Sequence, residues 1–215
     1  MKTEKFLNII EILKEEYHKW DAPAKKLSES YGYKRTPYTI LISTLLSFRT
    51  KDEVTVAAAH RLFDFADTPE KMIKLPKEEI AKLIYPVGFY NQKAQSVLEV
   101  SKYLLKNCGG KVPDTLEDLT KIKGVGPKTA KIVLENAYGK NYTAVDTHVH
   151  RILNLWGFVH TKNPEQTDKA IEEKLEPKYR KGLNRLLVSF GQIICKPVGP
   201  KCEICPVSDH CPARV

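Results

Sequence analysis

The chain has 215 residues, 42% of them hydrophobic, enough for one large domain or two small ones with a real core. Its 35 Lys and Arg against 26 Asp and Glu leave a formal charge of +9, which favours a polyanionic partner such as nucleic acid or an anionic membrane surface. The first apolar stretch is broken by Asn8 and Glu11, and no run approaches the roughly 18 apolar residues of a membrane span; the protein is therefore expected to be intracellular, with no membrane partner.

From the N-terminus, Phe6, Ile9, Ile10, Leu13, Tyr17 and Trp20 recur at helical spacing and predict one amphipathic helix. Thr36-Pro37, Thr68-Pro69 and Asn163-Pro164 each place a capping residue before a proline at the first helical position. Thr50 with Glu53, and Thr115 with Asp118, have the spacing of capping boxes, while Gly109-Gly110 and Gly139 predict helix stops. Only Tyr142 to Val145 reads as extended, too short to anchor a sheet. About ten short helices and no repeat make an all-α chain.

Around residues 115–137 a short helix ends near Ile122, Gly124-Val125-Gly126 turns tightly, and Pro127 starts a second helix. The turn's N–H groups and the helix start form an anion site, for which a DNA phosphate is the natural occupant of a basic protein. Lys128 falls in that helix's first turn, where the positive end of the dipole disfavours an ammonium; a partly neutral lysine is a usable nucleophile, although a solvated surface lysine fits the position as well. Asp146, before Val149, Ile152, Leu153 and Trp156 at helical spacing, reads as an N-cap. His148 and His150 point to different sides of that helix, so a joint metal site is not expected, and His150 and Arg151 are expected to meet solvent or phosphate. Eighteen residues separate Lys128 from Asp146, room for one helix, a turn and a return. Cys195, Cys202, Cys205 and Cys211 follow a C-x6-C-x2-C-x5-C spacing suited to zinc or to a [4Fe–4S] cluster, and Cys108, far away at a helix end, is expected to be structural.

The Gly-Val-Gly-x-Lys-Thr-Ala hairpin, the Val-Asp-Thr-His segment and the cysteine tail resemble the endonuclease III family in order and separation, over roughly residues 30–211. The resemblance implies two helical domains: a six-helix barrel at 23–135 carrying the helix-hairpin-helix, and a cluster domain from 1–22 and 136–215, with a DNA-binding groove between them. It implies that Lys128 attacks C1′ of a damaged nucleotide and, with Asp146 as the catalytic carboxylate, forms a Schiff base that breaks the strand by β-elimination. It implies a [4Fe–4S] cluster on Cys195, Cys202, Cys205 and Cys211. The expected enzyme is a bifunctional glycosylase and lyase removing oxidised pyrimidines. Its expected partner is duplex DNA with damaged bases or abasic sites, bound by a monomer in the cytoplasm or nucleoid of a prokaryote. Lys123, Gly124, Val125, Gly126, Thr129, His148 and Arg151 are the implied DNA contacts.

Two loops depart from the family pattern. Leu46-Ser47-Phe48-Arg49-Thr50-Lys51-Asp52 resembles a Leu-Ser-x-Gln-x-x-Asp loop with Arg49 in place of the glutamine, and Val87-Gly88-Phe89-Tyr90-Asn91-x-Lys93-Ala94 carries Phe89 where a leucine wedge is common. Phe89 suits a wedge between base steps, Arg49 a contact to the orphaned base, and Lys93 a DNA contact; a core Phe and a phosphate-binding Arg are the plainer alternative. A mismatch-specific monofunctional glycosylase is the alternative activity, although such relatives usually carry Ser or Tyr where this chain has Lys128. A non-catalytic iron–sulfur DNA-binding or electron-transfer protein is a third reading, but ferredoxin-like cysteine spacing is absent.

Overall fold

The computed structural model describes residues 1–23, 25 and 33–213. Residues 30–32, where the family resemblance is set to begin, lie outside them. The chain divides into two compact units, Met1–Ser28 with Asn141–Val215, and Glu29–Lys140. The described residues form helices and turns with no strand, and no helix is long and apolar enough to cross a membrane.

The Glu29–Lys140 unit is built around α2 (Pro37–Ser47), which is apolar on nearly every side: Tyr38, Ile40, Leu41, Ile42, Leu45 and Leu46 are all buried. A helix of that kind must be surrounded. It packs on α3 (Asp52–Phe65), α6 (Tyr90–Cys108) and α8 (Pro127–Tyr138). The short helices α4 (Pro69–Met72), α5 (Lys77–Ile84) and α7 (Leu116–Thr120) close the unit against α3, α6 and α8. The buried Tyr38 hydroxyl is satisfied by Ser101 of α6 at 2.7 Å. Thr36 caps α2 through a reciprocal pair with Thr39, and Thr68 caps α4. Thr115 caps α7 by accepting from the Asp118 N–H, but Asp118 returns to the Thr115 hydroxyl instead of its backbone. The Thr50–Glu53 capping box does not form. The N-cap of α3 is Lys51, one residue later, because the Thr50 hydroxyl is engaged by Gly88 and Lys93.

The other unit gathers α1 (Thr3–Glu16), α9 (Thr147–Leu155), α10 (Pro164–Lys174) and α11 (Leu183–Ile193). The N-terminal helix stops at Glu16; Tyr17–Lys19 form a 3-10 turn and Trp20 is extended, yet all the predicted apolar positions still meet the core. Phe6 stacks on Phe158 at 3.9 Å between ring centres, and Trp20 and Trp156 flank Phe190. α11 packs on both α9 and α1, and α9 also meets α10.

Candidate active site

At the hairpin of the Glu29–Lys140 unit, Val125 is buried and anchors the turn, with its N–H bonded to the Ile122 carbonyl at 2.9 Å. Gly124 takes φ +90°, which only glycine adopts without strain, and nothing lies within 4 Å of where a Cβ would stand on Gly124 or Gly126. The turn is therefore bare of side chains on the face where another backbone would approach. Gly126 caps α8 without a side-chain acceptor, leaving the helix start open to an anion. Thr129 is buried; Lys123 is exposed and lies 3.4 Å from Glu99.

Lys128 is exposed at the second position of α8, with Nζ 5.8 Å from the centre of the Phe48 ring. Phe48 belongs to the loop that leaves α2, and this loop is stitched to the one preceding α6. The Gly88 N–H donates to Thr50 Oγ1 at 3.1 Å, and a Cβ on Gly88 would come within 2.6 Å of the Arg49 carbonyl oxygen. Lys93 Nζ donates to the Leu46 carbonyl at 2.7 Å, the Phe48 carbonyl at 2.6 Å and Thr50 Oγ1 at 3.1 Å. Burial lowers the Lys93 pKa to about 8. Its three donors thus face oxygens of its own chain, where sequence reasoning expected DNA. Gly88→Ala should cost about 1–3 kcal/mol, because the obstruction is backbone and cannot rotate away. That is a drop of roughly 2–4 °C in melting temperature per kcal/mol at this size, measurable by thermal unfolding.

Arg49 (φ +51°) and Phe89 (φ +59°) are the only non-glycine residues with positive φ among the described residues. Each left-handed residue costs on the order of 1–3 kcal/mol, and such strain collects at functional sites. The two are adjacent, the guanidinium carbon 5.6 Å from the ring centre. Phe89 is 55% exposed, so it is no core residue.

In the other unit Asp146 caps α9, its Oδ1 accepting the Val149 N–H at 2.9 Å; Oδ2 has no partner among the described residues. The segment leading to it is fixed by Asn184 of α11, which donates to the Ala144 carbonyl at 2.7 Å, a contact no sequence spacing suggests. His148 packs against Gly191, and His150 Nδ1 lies 2.7 Å from Thr167 Oγ1 and 3.2 Å from the Asn154 amide. Arg151 donates to the Cys195 carbonyl and places a second guanidinium nitrogen 3.6 Å from the Cys195 sulfur. His150 and Arg151 are thus half-buried and engaged within the unit, where solvent or phosphate was expected, because α9 lies between α10, α11 and the cysteine loop.

Cys195, Cys202, Cys205 and Cys211 are free thiols that line one cavity of about 190 Å³, with Trp156 and Phe190 among its apolar walls. Among the described residues no three His, Cys, Asp or Glu side chains are gathered to hold a single metal ion. The cavity far exceeds the roughly 10–15 Å³ that admits one water. Burial raises the Cys195 and Cys205 pKa values, so holding these two as thiolates calls for a cationic group beside them. Donor chemistry and volume therefore fit a polynuclear group. Cys108 lies at the end of α6, in the other unit.

Residues 42–177, more than half of the chain, match the model of the HhH-GPD superfamily of base excision DNA repair proteins. The chain belongs to that family. It is 46% identical to an endonuclease III of Thermotoga maritima over 175 residues, 81% of this chain and 82% of that one. Its fold matches a solved non-covalent endonuclease III–DNA complex with a TM-score of 0.84 at 28% identity, over 99% of this chain and 96% of that chain. A thermostable thymine-DNA glycosylase matches with a TM-score of 0.80 at 26% identity, over 98% of this chain and 96% of that chain. The family assignment gives the hairpin its meaning as the helix-hairpin-helix of a repair enzyme.

Proposed function

We propose that the protein is a bifunctional glycosylase and lyase that removes oxidised pyrimidines from duplex DNA and then cuts the strand. The observation that carries the reading is Lys128: an exposed amine at the open start of the hairpin's second helix, in a chain of the base-excision repair family. C1′ of a stacked nucleotide is out of reach, so the damaged nucleotide must first leave the helix. The Lys128 amine then attacks C1′, the C1′–N bond to the base breaks, and the base departs with the proton that the amine gives up. The sugar ring opens to an iminium on Lys128. Loss of a C2′ proton expels the 3′ phosphate, and water hydrolyses the imine to free the lysine. Asp146 is assigned the carboxylate that stabilises positive charge on the sugar and carries protons, its Oδ2, unpartnered among the described residues, being the available oxygen.

The bare turn at Gly124–Gly126 and the open start of α8 support binding of a DNA phosphate, which positions the duplex without reading sequence. Phe89 and Arg49 are assigned to the space vacated by the extruded nucleotide. The four cysteines would hold a [4Fe–4S] cluster, which when bound ties the loop's thiolates to one rigid point.

The likeness to a thymine-DNA glycosylase keeps a second reading, base removal without strand cutting. Borohydride separates the two. The protein incubated with a duplex carrying one oxidised pyrimidine is expected to form a covalent adduct on reduction; base release without an adduct would favour the second reading.

A further inference from the structure

The Lys93 ammonium is used up inside its own unit. It is a three-donor group, and all three acceptors lie within five residues where α2 ends: the Leu46 carbonyl, the Phe48 carbonyl and the Thr50 hydroxyl. The two carbonyls belong to the C-terminal end of α2, where backbone acceptors lack helical partners and the dipole is negative. Thr50 extends the connection by accepting the Gly88 N–H and donating to the Phe48 carbonyl. The residues carried by this arrangement are those nearest the proposed chemistry: Phe48 under Lys128, and the left-handed pair Arg49 and Phe89. Two strained residues on facing loops persist only when their surroundings over-determine them, and Lys93 with Thr50 supplies that constraint.

We propose that Lys93 is a positioning residue: with Thr50 it latches the 46–50 loop to the start of α6, fixing the pose of Phe48, Arg49 and Phe89 for base extrusion, without touching DNA itself. The proposal rests on the glycosylase reading for its kinetic consequence, but the latch has a readout of its own. In Lys93→Met, amide hydrogen exchange at residues 46–50 and 87–90 of the DNA-free protein is expected to quicken by about tenfold or more, with other segments unchanged. Unchanged exchange there overturns the latch, whatever the enzyme's activity. Quickened exchange in Lys93→Met, together with a wild-type protein that excises no base, would keep the latch and remove the glycosylase reading.

With saturating enzyme, base excision by Lys93→Met should slow by about tenfold or more, while affinity for the same duplex stays within roughly threefold and its salt dependence is unaltered. A phosphate contact gives the opposite pattern, weaker binding with a salt slope smaller by about one, and would overturn the proposal. Thr50→Val should slow excision in the same way, and Thr50→Ser, which keeps the hydroxyl, should not. The double variant Lys93→Met/Thr50→Val should be no more than about twofold slower than Lys93→Met, since both break one latch; full multiplication of the two effects would refute it. If Lys93→Met fails to fold, the Thr50→Val and Thr50→Ser pair decides: equal rates reject the latch.

Discussion

Lys128→Ala is expected to lose strand cutting and borohydride trapping by roughly three orders of magnitude or more, because the amine that forms the proposed Schiff base is removed. Duplex affinity should change by no more than about threefold, since one of 35 basic residues is removed and the bare hairpin turn proposed to hold a phosphate remains. Lys128→Arg should be as inactive as Lys128→Ala: a guanidinium keeps the charge but is not deprotonated in proteins and cannot form an imine. Gel-shift binding and trapping on the same lesion duplex measure the two quantities side by side. Equal loss of binding and cutting would make Lys128 a phosphate contact. Retained cutting in Lys128→Ala would move the nucleophile elsewhere.

Cys202→Ala is expected to have the largest effect on stability. If the four thiols hold a cluster, removing one ligand releases the loop from Cys195 to Cys211 and opens the apolar cavity lined by Trp156 and Phe190. A loss of about 4 kcal/mol, at roughly 2–4 °C per kcal/mol, lowers the melting temperature by about 10 °C. The brown colour and the protein-bound iron should vanish together. Cys108→Ala, at the end of α6 and far in sequence from the loop, should keep both. Iron and zinc are assayed in the wild-type protein first. A colourless protein with one bound zinc would reject the cluster, and Cys202→Ala with full iron would reject the ligand assignment.

The parts of the site that were legible in the sequence are local. The hairpin needs two glycines, a proline at the first helical position and a lysine beside it. All lie within a few residues, so their order alone specifies the turn and the open helix start. Asp146 was legible as an N-cap for the same reason, and the structure shows the bond to Val149. The helix caps at Thr36, Thr68, Thr115 and Asn163 were equally local. Where a capping residue was claimed by a distant group, local reading failed: the Thr50 hydroxyl is held by Gly88 and Lys93, some 40 residues on, and α3 starts without it.

Sequence by itself determined the helical class, the bare glycine turn before α8, the placement of Lys128 and Asp146 at two helix starts and the grouping of four cysteines in one loop, because each depends on backbone preferences and spacings within a few turns of chain. Only tertiary structure decided the fate of the long polar side chains. Lys93 turns to carbonyls of α2, Arg151 to Cys195 and Asn184 to Ala144, while Arg49 and Phe89 are held left-handed against each other. A lysine or arginine spans several ångströms on freely rotating bonds, so its partner is whichever oxygen the packing of other helices leaves unsatisfied, and no local spacing records that.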